Sequence, residues 1–264
     1  MTTRCTCVKI TRTDGEVFAI TDLDEDIEVD SVAYKSLAGY TPSTFTQSTD
    51  LSVGNADLEG LIGVLGIDRS HLRLGLFDHA KIEAYLVDYS TASVIVQLGS
   101  GTWGETTIKN GRYTAEYRSL SQKLQSPISR VVMPTCDAVV FDSRCGANKG
   151  AHSEPGAVVS SNAARTIVTV SLSAPAGHYN GGIVEFTSGE NTGAKLEVKS
   201  HFSTGFEMYL PATYVILPGD TFVISAGCNK SLNQCKTKFN NVINFRGFPH
   251  LPGRSSIGLF GGQT

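Results

Sequence analysis

The stretch KIEAYLVDYSTASVIVQLGSGTWGETTIKNGRYTAE, residues 81–116, decides the fold class. It consists of short runs rich in Val, Ile, Thr and Tyr, separated by turn-forming residues. Lys81–Tyr89 and Ser93–Gly99 flank a Ser-Thr-Ala turn, and Asn110-Gly111 separates two further runs. β-branched and aromatic residues between closely spaced turn signals are typical of antiparallel strands. We therefore predict a mainly β protein.

The same pattern extends to both sides of this stretch. Before it, a meander is predicted over Cys7–Arg12, Glu16–Thr21 and Asp26–Tyr34, where apolar and polar residues alternate. Beyond residue 164, five short runs predict a second small β domain: Thr166–Leu172, Gly182–Thr187, Ala194–Ser200, Phe206–Leu210 and Asp220–Ser225. A further strand is predicted at Val131–Pro134. Ala56–Gly63, His71–His79 and Tyr117–Leu124 instead suggest short helices.

The composition changes at Cys145–Ala164, which is rich in Gly, Ala, Ser and Asn and has few large apolar residues. Such a stretch indicates a domain boundary or a long surface loop. We predict an N-terminal domain over residues 1–150, a small β domain over 151–226, and a C-terminal segment over 227–264 that packs back on the loop 136–145.

Composition and charge exclude several classes of protein. The 264 residues are 41% hydrophobic and carry a net charge of −3 without a basic stripe, so sequence-specific nucleic-acid binding is not expected. No run approaches the roughly 20 apolar residues of a membrane helix. The opening MTTRCTCVKI lacks the apolar core of a signal peptide. We therefore expect synthesis and folding in a cytosol, where thiols stay reduced.

Four of the six cysteines form two widely separated pairs, Cys136 with Cys145 and Cys228 with Cys235. Each pair follows a predicted strand, and four thiolates are the ligand set of a zinc ion or an iron–sulfur cluster. The spacing does not select the metal. Four buried free cysteines that only pack are an equally weighted alternative. For the remaining two, Cys5 and Cys7, which point to one face if they lie in a strand, packing is the favoured interpretation.

The sequence contains no convincing catalytic set. Ser188 does not lie in a nucleophile elbow, and the six histidines show no zinc-hydrolase spacing. The acidic run from Asp22 to Asp26 lacks the glycine and the terminal glutamate of a calcium loop, so it is interpreted as a solvated turn.

The C-terminal third contains the most distinctive sequence motifs. It includes HYNGGIVEFTSGENTG from His178, LPGDTF from Leu217, GCNK from Gly227, KFNN from Lys238 and NFRGFPHLPG from Asn244. This text closely resembles conserved phage and prophage proteins of long non-contractile tails and gene transfer agents. Gly104-Glu105, YTAEYRSL from Tyr113 and the first cysteine pair extend the resemblance over nearly the whole chain.

The resemblance implies a non-enzymatic tail-tip hub, related in fold to the hub of contractile tails and to the tip protein L of phage lambda. Such proteins are built from β-barrel or split-barrel domains and form a threefold ring. Several carry a 4Fe–4S cluster, whose cysteines match Cys136, Cys145, Cys228 and Cys235. The implied partners are two further copies of the chain, the distal tail protein, the tip or fibre protein and the tape measure protein. The implied location is the virion tail tip, after assembly in the bacterial cytoplasm.

For the closing motif a structural role is favoured over direct contact with a host receptor. In this role Arg246 binds backbone carbonyls, and a cap over the cluster is shaped by Gly247, Pro249, Pro252 and Gly253. Two alternatives remain. One is an iron–sulfur redox enzyme, which would need a substrate cleft near Arg246 and His250. The other is a zinc-stapled carbohydrate-binding module, which would use aromatic residues of the second β domain: Tyr179, Phe186, Phe202 and Tyr209.

Overall fold

The computed structural model describes residues 3–36, 41–42, 55–61, 67–119 and 129–251, with backbone alone for 41–42 and 55–61. Its contacts divide the chain into two compact units, Met1–Ile128 and Ser129–Thr264. The mainly β class predicted from the sequence is confirmed, because each unit is built around one antiparallel-rich sheet.

The first unit contains a nine-stranded sheet in the order β3-β4-β2-β1-β7-β8-β9-β6-β5. Its elements are β1 Arg4–Thr11, β2 Val17–Thr21, β3 Ile27–Val29, β4 Val32–Ser36, β5 Thr41–Pro42, β6 Asn55–Leu61, α1 Arg69–Arg73, β7 Lys81–Asp88, β8 Ser93–Lys109 and β9 Arg112–Ser119. β7 and β8 pair antiparallel from Asp88↔Ser93 to Lys81↔Thr102, which confirms the predicted strand pair. Asn110 and Gly111, both at positive φ, turn β8 into β9, as the hairpin signal predicts.

The core of the first unit forms where alternating side chains of these strands meet. Trp103 on β8 packs against Phe77 at 5.0 Å and Tyr113 at 5.7 Å between ring centroids. Phe77 also contacts Phe18 of β2. Burial of these large rings supplies much of the free energy that holds the sheet to the short α1 region.

The helix predictions in this unit were largely wrong. Ala56–Gly63 overlaps β6, which pairs with β9 over seven positions, so strand pairing overrides the helical spacing of its leucines. Within His71–His79 the helix ends at Arg73 and turns follow. Residues 117–119 of the third segment belong to β9, and residues 120–124 lie outside the described residues.

The second unit contains a seven-stranded sheet in the order β10-β16-β13-β14-β15-β12-β11. Its strands are β10 Ser153–Ala157, β11 Ser160–Ser161, β12 Ile167–Thr169, β13 Ile183–Phe186, β14 Lys195–Phe202, β15 Gly205–Met208 and β16 Thr221–Ser225. Helix α2 spans Leu232–Thr237, and single 3-10 turns lie at Gly150–His152 and Val242–Asn244. The five runs predicted beyond residue 164 are confirmed as β12 to β16. The core is aromatic, with Phe206 and Phe222 in contact at 5.3 Å.

Two expectations about architecture need revision. Within the described residues both sheets have two end strands, so neither is a closed barrel. Val131–Pro134 is not a strand. Val131 and Val132 are exposed there, and the Met133 carbonyl accepts a hydrogen bond from the Phe248 amide.

The contact boundary at 128/129 places residues 129–149 with the second unit, although composition suggested a boundary near 150. The further division at residue 226 stays a prediction.

Among the described residues, no helix is long and apolar enough to cross a membrane.

Candidate metal centre

The four cysteines of the two predicted pairs line one cavity in the second unit. Its volume is about 350 Å³, open mouth included, and its other lining residues are Ala138, Val140, Lys230, Ser231, Phe239, Asn241 and Asn244. Cys136 and Cys145 reach it from one loop, and Cys228 and Cys235 from the segment that follows β16. The structure therefore brings together the residues that spacing alone could only suggest.

Cys228 and Cys235 are positioned by the exit of β16 and the start of α2. Ser231 caps α2, its Oγ accepting a hydrogen bond from the Gln234 amide at 3.2 Å, and Cys235 lies one turn inside the helix, 8% exposed. Lys230 lies between the cysteines at φ +64°. A long side chain in this left-handed region is uncommon and is found where surrounding contacts enforce it.

The contacts that enforce it are hydrogen bonds of the Lys230 backbone. Its amide donates to Cys228 Sγ at 3.4 Å, and its carbonyl accepts from the Cys136 amide at 2.8 Å. The Lys230 ammonium group donates to the carbonyl oxygen of Ala138. One strained residue thus fixes two of the four cysteines relative to each other.

Cys145 is positioned by Asp142 and not by a strand. The Asp142 carboxylate accepts from the amides of Cys145 at 2.6 Å and Val139 at 3.1 Å, and its carbonyl accepts from Gly146 at 2.8 Å. These bonds lower the pKa of Asp142, the Cys145 amide contributing most. Phe141, at φ +67°, is the second bulky left-handed residue beside the cavity. The loop between Cys136 and Cys145 is therefore a defined turn.

Asn241 joins the two cysteine segments. It is nearly fully buried, and its Nδ2 donates to the Cys145 carbonyl at 2.6 Å and lies 3.7 Å from Cys145 Sγ. Its backbone amide donates to the Cys235 carbonyl at 3.0 Å, and its own carbonyl lies 3.2 Å from Cys235 Sγ. Asn244 Nδ2 donates to Asn241 Oδ1 at 2.8 Å and holds the amide in this orientation. Asn241 is the last residue of the KFNN motif, and the sequence alone did not predict that it joins the two cysteine segments.

The closing motif caps the site through its backbone. The Arg246 amide donates to Cys136 Sγ at 3.4 Å, and the Arg246 carbonyl accepts from the guanidinium of Arg130. The sequence predicts that Arg246 binds backbone carbonyls. In the structure the described contact of this kind is made by Arg130, to the carbonyl of Arg246. Gly247 lies so close to the backbone of Thr135 that an added Cβ would come within 2.7 Å of it. Gly247 thus allows the closing motif to lie directly against the backbone of Thr135, beside Cys136. Pro252 and Gly253 lie outside the described residues.

Cationic residues surround the four thiols. Arg130 and Arg144 both pair with Asp137, at 2.8 and 2.6 Å, and this lowers the pKa of Asp137, the Arg144 hydrogen bond contributing most. Lys230 and Lys238 add positive charge on the other side, with Lys238 Nζ 2.7 Å from the Gly227 carbonyl. Such an environment suits an anionic centre, because nearby positive charge lowers the cost of gathering thiolates.

The thiols are close enough to interact with each other. Burial raises the pKa of Cys235, and the three other cysteines of the cavity raise it further by electrostatic repulsion. Four mutually repelling thiolates need a cation or a cationic cluster core to offset their charge. The donor set, four cysteine sulfurs and no oxygen or imidazole, fits a 4Fe–4S cluster or zinc.

Within the described part of the chain, no three His, Cys, Asp or Glu side chains are placed to hold one metal ion together. A tetrahedral zinc at about 2.3 Å from each sulfur would need the sulfurs about 3.8 Å apart. A 4Fe–4S cluster spreads its cysteine ligands around a larger core than a single ion does.

Cys5 and Cys7 lie elsewhere and behave differently. Both are on β1 in the first unit, 4% and 0% exposed, in a core cluster with Val29, Tyr34 and Val87. The prediction that they pack is confirmed by this burial.

The aromatic residues considered for a sugar platform do not form one. Tyr179 and Phe186 are buried in the second unit and Phe202 is partly buried, whereas Tyr209 is exposed. These rings mostly serve the core.

Comparisons with known proteins define first a class and then a family. The chain aligns with a chain of a solved structure, the virion of a native gene transfer agent (GTA) particle, at TM-score 0.82 and 27% identity, covering 99% of this chain and 92% of the other. No curated protein gives a significant match. The fold is thus that of a phage-type structural protein.

The family follows from sequence models. Residues 1–148 match the family described as baseplate hub protein, N-terminal attachment domain, and residues 177–255 match the phage conserved hypothetical protein BR0599 family. Because the first match covers more than half of the chain, the chain belongs to the baseplate hub protein family. Its role as a structural baseplate protein follows from that membership.

Proposed function

We propose that the chain is a hub subunit at the tip of a non-contractile phage-type tail, where three copies form a ring. The ring joins the distal tail protein of the tube to the tip or fibre protein and the tape measure protein. A 4Fe–4S cluster on Cys136, Cys145, Cys228 and Cys235 stabilises each subunit.

The convergence of four cysteines from two distant segments on one cavity carries this proposal. Segment 129–149 contains no strand, so no sheet pairing holds it in place. Hydrogen bonds from Arg130, Cys136 and Asn241 connect it to the segment 228–248. A cluster bound there would act as a covalent-strength cross-link between the two.

A cluster suits the life of a virion protein. Assembly takes place where thiols are kept reduced, so a disulfide would not persist, whereas metal–thiolate bonds form there readily. When bound, the cluster would supply a rigid anchor for four chain positions and an anionic centre beside Arg130, Arg144, Lys230 and Lys238. The side chains that hold it are those described above.

Exposed apolar side chains support an assembly role for this unit. Single exposed apolar residues are common, but contiguous ones indicate contact surfaces. Exposed apolar residues occur in three parts of this unit. They are Val131 and Val132 before Cys136, Ile243, Phe248 and Leu251 in and around the closing motif, and Tyr209, Leu210, Val215 and Leu217 after β15. Burial against other subunits of a ring would remove them from water.

Anaerobic purification of the full chain tests the two parts of the proposal separately. We expect a broad absorption band near 400 nm, about four irons per chain, and a native mass three times the 28.2 kDa of one chain. One zinc per chain without colour would replace the cluster and leave the hub role intact. A soluble monomer at assembly concentrations would contradict the ring and leave the cluster intact.

Zinc is the second candidate for the centre, because four thiolates also form structural zinc sites. A redox enzyme would need a polar substrate cleft beside the centre, and steady turnover of a small-molecule acceptor by the iron-loaded chain would favour it over a purely structural role.

A further inference from the structure

His201 on β14 is a buried histidine whose Nδ1 has no hydrogen-bond partner. The residue is 5% exposed, and Nδ1 is fully shielded from solvent. The carbonyl oxygen of Pro175 faces the imidazole and interacts with it. A neutral ring tolerates this environment, because an unsatisfied acceptor costs less than a buried charge. A proton on Nδ1 would have no acceptor.

The ring belongs to a cluster of aromatic and imidazole groups. His201 packs against Tyr179 at 4.9 Å between ring centroids, and Tyr179 packs against His178 at the same distance. Tyr179 Oη donates to Glu154 Oε2 at 2.7 Å. The Glu154 carboxylate is also held by the Ser173 amide at 2.7 Å. The one nearby carboxylate is therefore already occupied by other donors.

Charged and titratable groups reach this cluster from several elements. Facing His201 and His178 are Glu154 of β10, Lys238 after α2 and His152 of the first 3-10 turn. Lys238 donates to the His178 carbonyl and to the Gly227 carbonyl. Its positive charge opposes protonation of the imidazoles. Burial lowers the pKa of His201, and burial followed by Lys238 lowers that of His178.

The cluster holds a loop on the sheet. The Gly177 amide donates to the His201 carbonyl and the Gly181 amide to the Val198 carbonyl, both at 2.8 Å, and the His201 amide donates to Asn180 Oδ1 at 2.6 Å. The loop 175–182 is thus attached to β14 at the residue that carries the unpartnered nitrogen.

We propose that His201 and the loop 175–182 form an acid-sensitive latch, closed when the imidazole is neutral and released when Nδ1 takes up a proton. The proposal depends neither on a metal nor on the hub assignment. A charged imidazole at this position would lose its hydration, and this cost of burial outweighs the favourable charge of Glu154 and the Pro175 carbonyl. Proton uptake therefore favours conformations in which the loop leaves β14 and water reaches the ring.

The sign of the pH effect follows from proton linkage. A histidine whose pKa is lower in the folded state binds fewer protons there than when exposed. The latch is therefore fully stable above about pH 6.5, the ordinary histidine value, and weakens as the pH falls below it. If His201 stays neutral in the closed state down to pH 5.5, opening becomes about tenfold more frequent between pH 7.5 and 5.5. Carboxylates titrate mostly below this window.

Hydrogen exchange of the full chain tests the latch. We expect the protection factors of the Gly177, Gly181 and His201 amides to fall about tenfold between pH 7.5 and 5.5. His201→Gln, which keeps an amide donor but does not titrate, should reduce this fall several-fold. His250→Gln, at an exposed position of the same unit, should leave it unchanged. An unchanged fall in His201→Gln would overturn the proposal.

Titration of the wild-type imidazoles by NMR provides a test that needs no variant. We expect His201 to titrate below about 6.5, the ordinary histidine value. A His201 pKa at or above 6.5 would overturn the proposal even if His201→Gln fails to fold.

Discussion

The chain contains cysteines in two settings, and the contrast between them shows how the fold separates packed thiols from thiols that share a cavity. Cys5 and Cys7 alternate on one strand, inside an apolar core. Cys136, Cys145, Cys228 and Cys235 lie on turns and at a helix start, around one cavity with N–H groups and cations near the sulfurs. Regular secondary structure packs a thiol, whereas loops from distant segments can aim several thiols at one point.

Thiol reactivity should separate the two groups by the largest factor. Burial raises the pKa of Cys7 to about 12, from 9.0 for a free thiol. At pH 8.5 this lowers its thiolate fraction about a thousandfold, so alkylation of the folded chain should be slower by a similar factor than for a free thiol. After iron is removed with a chelator, iodoacetamide followed by peptide mass spectrometry should modify Cys136, Cys145 and Cys228, which are partly exposed, before Cys7. Equal rates at Cys7 and Cys136 would remove the distinction.

Loss of one proposed ligand should have the next largest effect. Cys136→Ser should lower the iron content from about four per chain to less than one, because serine is a poor cluster ligand. Segment 129–149 should then lose most of its protection in hydrogen exchange, since the cross-link is gone. Cys5→Ser is the matched control and should keep its iron. Full iron in Cys136→Ser would exclude this residue as a ligand.

Asn241 should be next in importance, because it connects the two segments without binding metal. Asn241→Ala leaves the Cys145 carbonyl without its 2.6 Å donor in a buried place, at a cost of about 1–3 kcal/mol in free energy of unfolding. The reduction potential of the bound cluster should become more negative, because one donor to a sulfur is lost. Denaturant titration and redox titration measure these effects. Asn233→Ala, exposed on α2, should change neither.

The smallest effect is expected in the packed pair. Cys7→Ala removes one buried sulfur from the core of the first unit and should cost about 1 kcal/mol of unfolding free energy. The iron content and the 400 nm band should not change. A loss of iron in this variant would connect β1 to the centre and contradict the separation of the two settings.

Much of the sheet structure could be predicted, because strand patterns are local. The hairpin at Asn110-Gly111 and the β7–β8 pair follow from residue types within a few positions. Ala56–Gly63 could not be assigned correctly, since its helical spacing is overridden by pairing with β9, a partner about 55 residues away in the sequence. Val131–Pro134 has strand-like composition, but no neighbouring strand pairs with it among the described residues.

The four cysteines of the cavity could be predicted, but the contacts that position them could not. Resemblance to a family identified the four cysteines, whereas spacing left packing open. The left-handed backbone of Lys230 and the bridging by Asn241 depend on contacts between segments more than 90 residues apart. No local sequence pattern predicts such long-range contacts. Arg130, whose guanidinium binds the Arg246 carbonyl, was missed for the same reason.

X-ray absorption of the full chain, purified without oxygen and measured at the iron and zinc edges, tests the central claim most directly. We predict iron surrounded by sulfur with a second iron as near neighbour, and loss of this signal in Cys136→Ser. Zinc with four sulfurs at about 2.3 Å would contradict the cluster. Neither metal at any of the four cysteines would contradict the centre altogether.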